Sequence, residues 1–101
     1  MILLHATVPI DPGSREDALD EIAELAERSR AEDGVIDYRA STEVGDENVV
    51  HFVECYEDEA SLGSHTESAH FQSFSASLPE YLDGRPEIPR FDVESASPVE
   101  L

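Results

Sequence analysis

Short runs of aliphatic, β-branched and aromatic residues recur along the chain and predict four β-strands. Side chains alternate between the two faces of a strand, and in the first run both faces are largely apolar. A cluster of turn-forming residues, Gly45 to Asn48, separates the second run from the third and predicts a hairpin turn there. The four predicted strands are Ile2–Val8, Val35–Glu43, Val49–Tyr56 and Arg90–Ser95.

Helical periodicity fills the intervals between these strands. After the turn at residues 11–14, apolar residues spaced three and four apart predict a helix that ends near Ala31, with Asp11 or Ser14 as its N-cap. Beyond the third strand, two shorter helices are predicted at about Asp58–His65 and Ser68–Leu78.

The order of these elements, β-α-β-β-α-β, predicts an α+β, ferredoxin-like fold with one four-stranded antiparallel sheet and the helices on one face. We expect one domain over residues 1–101, with residues 96–101 as a loose C-terminal tail. Because the strands carry apolar residues on both faces, the face without helices is expected to contact a second copy in a homodimer.

Charge excludes some classes of function. The chain has 24 acidic and 6 basic residues, a net charge of −18, and every basic residue is arginine. Nucleic-acid binding is disfavoured because no basic patch could meet phosphates. The acidic surface resembles that of proteins from extreme halophiles. No apolar run is long enough to span a membrane, and the single cysteine fits a reducing cytoplasm, so we expect a cytoplasmic protein without a membrane partner.

The residues that could carry out chemistry concentrate between Val49 and Phe74. Glu54 and Tyr56 share one face of the third strand with Phe52, because strand side chains repeat every two residues. Tyr56 could hydrogen-bond a substrate hydroxyl and Glu54 could accept its proton. Two structural alternatives stay open: Tyr56 packs its ring in the core, and Glu54 caps a helix or pairs with an arginine such as Arg39.

Histidines offer the other candidates. His65, at the predicted end of a helix, could act as a general base, or could only bond the helix end; its replacement by glutamine is expected to alter stability little. His65 and His70 lack the i, i+4 spacing that places two metal ligands on one helical face, so no metal site is predicted. Cys55 is expected to be a small buried hydrophobic residue, and the strand histidines His5 and His51 are expected at an interface or in the core.

Three segments together resemble the antibiotic biosynthesis monooxygenase family, and most closely its small quinol-monooxygenase-like members. They are Asp11-Pro12-Gly13 before a long helix, Asp33-Gly34-x-x-x-Tyr38, and Phe52-x-Glu54-x-Tyr56-x-Asp58-x-x-x-Leu62-x-x-His65-x-x-Ser68-x-His70-Phe71. The resemblance covers roughly residues 2–95. It departs from the family at Tyr56, where many members have tryptophan, and at Phe52, where polyketide-modifying relatives have asparagine. His5-Ala6-Thr7 stands where haem-degrading relatives have asparagine.

The resemblance implies a dimeric α+β barrel with a pocket in each subunit between sheet and helices. It also implies oxidation of a quinol or another small phenolic substrate by O₂, without a metal or flavin cofactor. His65 would be the base, and Tyr56 and Glu54 would orient the substrate. The expected substrate-binding residues are Phe52, His70, Phe71, Phe74 and Tyr38.

Two other functions stay open from the sequence. The chain could be a non-catalytic dimer that binds a small apolar ligand or serves as a scaffold, because one fold hosts many functions. A weaker alternative is haem binding with His65 or His70 as the axial ligand.

Overall fold

The computed structural model describes residues 1–101 and consists of four strands, three α-helices and two short 3₁₀ turns. The turns lie at Pro12–Ser14 and Leu78–Glu80. In chain order the longer elements are β1 (Ile2–Pro9), α1 (Arg15–Arg30), β2 (Val35–Glu43), β3 (Asp46–Tyr56), α2 (Glu59–Glu67), α3 (Ala69–Ser77) and β4 (Arg90–Asp92).

The strands form one antiparallel sheet in the order β2-β3-β1-β4. Along the central pair, Ile2 lies opposite Tyr56 and Ala6 lies opposite Phe52. On the other side of β3, Tyr38 lies opposite Glu54. The architecture confirms the predicted ferredoxin-like α+β fold, with the second helical region divided into α2 and α3. None of the helices has both the length and the apolar character needed to cross a membrane.

Two strand boundaries differ from the prediction by three residues. The hairpin turn does not occupy residues 45–48, because β3 begins at Asp46, which pairs with Glu43, and only Val44 and Gly45 connect the strands. Gly45 has a φ of 94°, the positive value that tight hairpin turns require. β4 ends at Asp92 rather than Ser95, because Asp92 lies opposite Ile2, the first residue of β1. Beyond this pair the Val93 amide still donates to the Met1 carbonyl at 2.9 Å.

One face of the sheet forms the core with the helices. Tyr38, Val50, Phe52 and Phe74 pack there against the apolar stripe of α1, and the other members of this cluster are Ala6, Val8, Ile10, Ala18, Ile22, Leu25 and Ala26. The opposite face has no helix over it. The register places Leu3, Val53 and Phe91 on this open face, where Val53 is 39% and Phe91 50% exposed.

Helix ends are fixed by side-chain capping at two of the three α-helices. The Asp58 carboxylate accepts a hydrogen bond from the Ser61 amide at the start of α2, and the Ser68 hydroxyl accepts one from the Phe71 amide at the start of α3. Ser14 occupies the N-cap position of α1, but neither it nor Asp11 makes a capping side-chain hydrogen bond.

Candidate active site

The end of β3 places Tyr56 and Glu54 side by side on the helix-covered face. The Tyr56 hydroxyl donates a hydrogen bond of 2.5 Å to Oε1 of Glu54, and both side chains are buried. Arg39 is not the partner of Glu54, since its guanidinium bonds Asp37 at 2.9 Å and its register position is on the open face. Glu54 therefore neither caps a helix nor forms an ion pair with Arg39.

Burial shifts the pKa values of Glu54, Tyr56 and Tyr38. It raises the pKa of Glu54 above the usual range for a carboxyl, and the Tyr56 hydrogen bond and the nearby His65 only partly offset that effect. Burial also raises the pKa values of Tyr56 and Tyr38, and the Glu54 charge raises both further. Both tyrosines consequently remain protonated hydrogen-bond donors at neutral pH.

His65 lies in the last turn of α2 and faces the same cluster. It is 1% exposed, so the expectation that its replacement would resemble a surface change is wrong. Its Nδ1 lies 2.8 Å from Oε2 of Glu32, whereas its Nε2 is buried and has no hydrogen-bond partner. The Tyr38 and Tyr56 rings lie 5.2 Å and 5.4 Å from the imidazole, centroid to centroid.

Glu32 is the site residue that sequence reasoning missed. It lies in the loop between α1 and β2, 33 positions before His65, and nothing in the sequence distinguishes it from the other acidic residues. Gly34 holds this loop against α2: it has a φ of 85°, and a Cβ there would overlap the Ser61 hydroxyl oxygen and lie 2.7 Å from the Ser61 Cβ. The Glu57 amide also donates to the Gly34 carbonyl at 2.9 Å.

An interruption between α2 and α3 brings His70 to the same carboxylate. Ser68 ends one helix and caps the next, and Nε2 of His70 lies 2.8 Å from Oε2 of Glu32. The i, i+4 rule applies within one helix, and the two histidines lie on successive helices. Their spacing therefore did not reveal that they share a carboxylate, and the expectation of no metal-ligand cluster did not anticipate this grouping. One ligand atom from each of Glu32, His65 and His70 lies within 4.8 Å of the others, and two imidazoles with a carboxylate are a donor set that Zn²⁺ and Fe²⁺ accept.

Haem ligation by His65 does not fit this arrangement. Its imidazole is enclosed by the rings of Phe71, Tyr38, Tyr56 and His70, with centroid distances between 4.9 and 6.1 Å. With the rings in these positions, a porphyrin face cannot reach the buried Nε2.

The predicted substrate-binding residues divide into an inner and an outer set. Phe52, Tyr38 and Phe74 are buried, and the Phe52 ring lies 6.2 Å from each of the other two. Phe71 and His70 are half-buried, with the Phe71 ring 4.9 Å from that of His65.

Two grooves flank the helices. The first, of about 270 Å³, runs between α1 and α3 and is lined by Glu21, Glu24, Leu25, Arg28, Ala69, His70, Ser73 and Phe74. The second, of about 410 Å³, lies between α1 and β2. Neither is lined by His65, Tyr56 or Glu54. The predicted catalytic residues thus lie together in the interior, and the rings of Tyr38, His70 and Phe71 separate His65 from the surface. His70 and Phe74 also line the groove between α1 and α3.

The fold and this buried His–Glu–Tyr cluster define a class of small α+β proteins with a polar site between sheet and helices. The antibiotic biosynthesis monooxygenase family model matches residues 1–77, and the chain belongs to that family. YcnE of Bacillus subtilis, named as a candidate monooxygenase, is 38% identical over 93 residues, covering 92% of this chain and 98% of YcnE. The predicted family is therefore confirmed.

Solved structures share the fold over most of the chain. A conserved protein from Methanosarcina mazei superposes with a TM-score of 0.84 at 29% identity, covering 89% of each chain. A protein from Deinococcus radiodurans, named for the same monooxygenase family, reaches a TM-score of 0.89 and covers 99% of each chain. Its 16% identity makes it a likeness of fold alone.

Proposed function

We propose that this chain is a monooxygenase that oxidises a quinol or another phenolic small molecule with O₂, and that His65 is its general base. The observation that carries the proposal is the state of the His65 ring. One nitrogen is held by Glu32 at 2.8 Å, and the other is buried without any partner. Membership of a monooxygenase family supports the same reaction class.

A buried nitrogen without a partner is unfavourable by about 1–3 kcal/mol, and most buried polar atoms are satisfied. A substrate hydroxyl placed against Nε2 of His65 would supply the missing hydrogen bond. It would also be in position to give its proton to that nitrogen. The site therefore favours a ligand with an acidic O–H, which a quinol or phenol provides.

Proton transfer to His65 would leave an electron-rich phenolate. This anion can pass one electron to O₂, and the two radicals can combine to a peroxide on a ring carbon that bears hydrogen. As the O–O bond breaks, the hydrogen of that carbon passes to the departing oxygen and a carbonyl is left on the ring. The hydroxide released takes the proton held by His65 and leaves as water. The protein contributes orientation and exclusion of water. Tyr56, held by Glu54 at 2.5 Å, and the aromatic rings of Phe52, Tyr38 and Phe74 would orient the substrate ring.

A substrate can reach Nε2 of His65 only if some of the rings around it move. Phe71 and His70 are the least enclosed of the rings around His65, because both are half-buried on α3. We therefore assign them to the mouth of the site, beside the groove that His70 and Phe74 line.

Oxygen consumption with a panel of quinols in molar KCl tests the proposal. His65→Gln should lower kcat by about 10²-fold or more, the usual scale of general base catalysis. Glu27→Gln, an exposed residue of α1 that lines neither groove, is the control and should retain wild-type turnover. Wild-type protein that binds quinols without consuming O₂ would instead identify a non-catalytic ligand-binding domain.

We also propose that two copies form a homodimer through their open sheet faces. This face carries the partly exposed side chains of Val53 and Phe91. Apolar groups gathered on one uncovered face are typical of a protein interface. Homodimers with a two-fold axis use the same patch on both subunits.

A further inference from the structure

We infer that Glu32 is a positioning residue for His65, and that His70 holds Glu32 in place from the groove side. The three side chains form a clamp in which one carboxylate oxygen accepts from two imidazoles. The kinetic consequence of this clamp rests on the proposed function, but the clamp itself can be observed without any substrate.

Hydrogen-bond accounting fixes the tautomer of His65. An ionised carboxylate is an acceptor only, so a ring nitrogen 2.8 Å from Oε2 of Glu32 must carry a hydrogen. A neutral imidazole has one N–H, and in His65 that hydrogen is therefore on Nδ1. Nε2 is then unprotonated, and its lone pair can accept a proton.

The tautomer with hydrogen on Nε2 is disfavoured at both ring nitrogens. It would place an N–H at the buried Nε2, which has no acceptor, and would turn the Nδ1 lone pair toward the Glu32 carboxylate. The Glu32 side chain is only 16% exposed, so salt screens its interaction with the ring less than it screens a surface pair.

His70 supplies the second bond to the same oxygen. Its Nε2 lies 2.8 Å from Oε2 of Glu32, and its side chain is 19% exposed where it lines the groove between α1 and α3. Two donors on one oxygen restrict the carboxylate more than one donor does. The contact of Gly34 with Ser61 holds the backbone of the Glu32 loop from the other side.

The clamp is tested by nitrogen-15 NMR of the imidazoles at pH 8 in molar KCl. In wild type, Nδ1 of His65 should show a bonded proton and Nε2 the shift of an unprotonated ring nitrogen. Glu32→Ala should convert His65 to a tautomer mixture. Glu32→Gln keeps a carbonyl acceptor and should retain the tautomer, which keeps the test valid where the alanine variant fails to fold. Glu27→Gln, an exposed acid on α1, should change nothing.

Turnover gives the second readout. Glu32→Ala should lower kcat by about 10²-fold with KM little changed, and Glu32→Gln by less, because it loses the charge but keeps the acceptor. His70→Ala should have a smaller effect than Glu32→Ala. If no quinol is oxidised but the NMR pattern holds and is lost in Glu32→Ala, the clamp stands and the proposed function falls.

Three results would overturn the clamp. The first is a wild-type His65 with its proton on Nε2. The second is a tautomer that Glu32→Ala leaves unchanged. The third is stoichiometric Zn²⁺ binding that moves the ring nitrogens of His65 and His70 in wild type but not in Glu32→Ala, which would identify the three side chains as metal ligands.

Discussion

The Tyr56 hydroxyl donates to the carboxylate of Glu54 across 2.5 Å, and both residues lie on the same buried face of β3. The pair follows directly from strand geometry, since side chains two positions apart project to the same side. Burial raises the pKa of this carboxyl, and the Tyr56 bond is the larger of two interactions that oppose the shift, the other being the nearby His65.

Removal of the Tyr56 hydroxyl tests that bond. Tyr56→Phe leaves Glu54 without its donor and should lower the free energy of unfolding by about 1–3 kcal/mol, the range for a buried acceptor that loses its partner. Tyr81→Phe is the matched control, because the Tyr81 hydroxyl also donates to a carboxylate, that of Glu21, but in a less enclosed position. Denaturant titrations of both variants in molar KCl should show the larger loss in Tyr56→Phe, and equal losses would contradict the proposed importance of burial.

The raised pKa of Glu54 predicts a pH-dependent effect of Glu54→Gln. A carboxyl whose pKa is higher in the folded than in the unfolded state stabilises the fold below the unfolded pKa, and this contribution is lost as pH rises through the folded pKa. Glutamine does not ionise and can still accept from Tyr56. The stability of Glu54→Gln relative to wild type should therefore increase from pH 4 to pH 8. Glu27→Gln, at an exposed position, should show no such trend, and a relative stability of Glu54→Gln that falls with pH would refute the assignment.

Local sequence patterns predicted most of the fold. Alternation and helical spacing located β1, β2, β3 and α1 because these elements bury one face, and the third-strand pattern placed Glu54 beside Tyr56. β4 was found although all three of its residues are exposed. The hairpin turn was misplaced because Asp46 and Asn48 favour turns individually but lie on the β3 strand, where Asp46 pairs with Glu43. Tertiary pairing outweighed their local preference.

The clamp on His65 could not be predicted in the same way. Glu32 meets His65 and His70 only because the α1–β2 loop packs against α2 and because the chain turns at Ser68. Neither the packing of this loop nor the turn at Ser68 produces a periodic pattern in the sequence. A motif can thus point to a candidate catalytic residue, whereas the carboxylate that contacts it is brought there by packing between distant segments.

Gly34→Ala tests the packing that holds the Glu32 loop. An alanine there would adopt a left-handed backbone, and its Cβ would overlap the Ser61 hydroxyl oxygen and lie 2.7 Å from the Ser61 Cβ. We expect a loss of about 3 kcal/mol or more in the free energy of unfolding, from backbone strain plus overpacking.

Gly45→Ala separates these two causes. Gly45 has a φ of 94°, but a Cβ added there would have no neighbouring atom within 4 Å, so only the backbone strain of about 1–2 kcal/mol applies. Thermal or denaturant unfolding of the two variants should therefore show the larger loss at Gly34. Similar losses would mean that the contact with Ser61 relaxes without penalty.

The proposed dimer predicts the effect of a charge on the open sheet face. Val53 lies on a central strand and is 39% exposed, and Val53→Glu would bury a carboxylate at the interface of both subunits. Light scattering in molar KCl should give the dimer mass for wild type and the monomer mass for Val53→Glu. Val44→Glu, at the fully exposed hairpin turn, should remain dimeric. A wild-type monomer at micromolar concentration would refute the interface.

The charge of −18 on 101 residues predicts a strong dependence of stability on salt. In dilute buffer the Debye length is about 30 Å at 0.01 M, so acids across the whole surface repel one another, whereas at 1 M it is about 3 Å. Salt also weakens exposed ion pairs such as Arg28–Glu24, but arginines are too few to balance the acids.

The Tm should therefore rise steeply between 0.01 M and 2 M KCl. The double variant Asp20→Asn, Glu27→Gln should show a smaller rise, because two of the repelling charges on α1 are gone. KCl is the appropriate salt, since sulfate would stabilise the fold through exclusion from its surface whatever the charge. A Tm that stays constant across this range would show that repulsion among the acids is not a major term, and the inference of adaptation to high salt would fall with it.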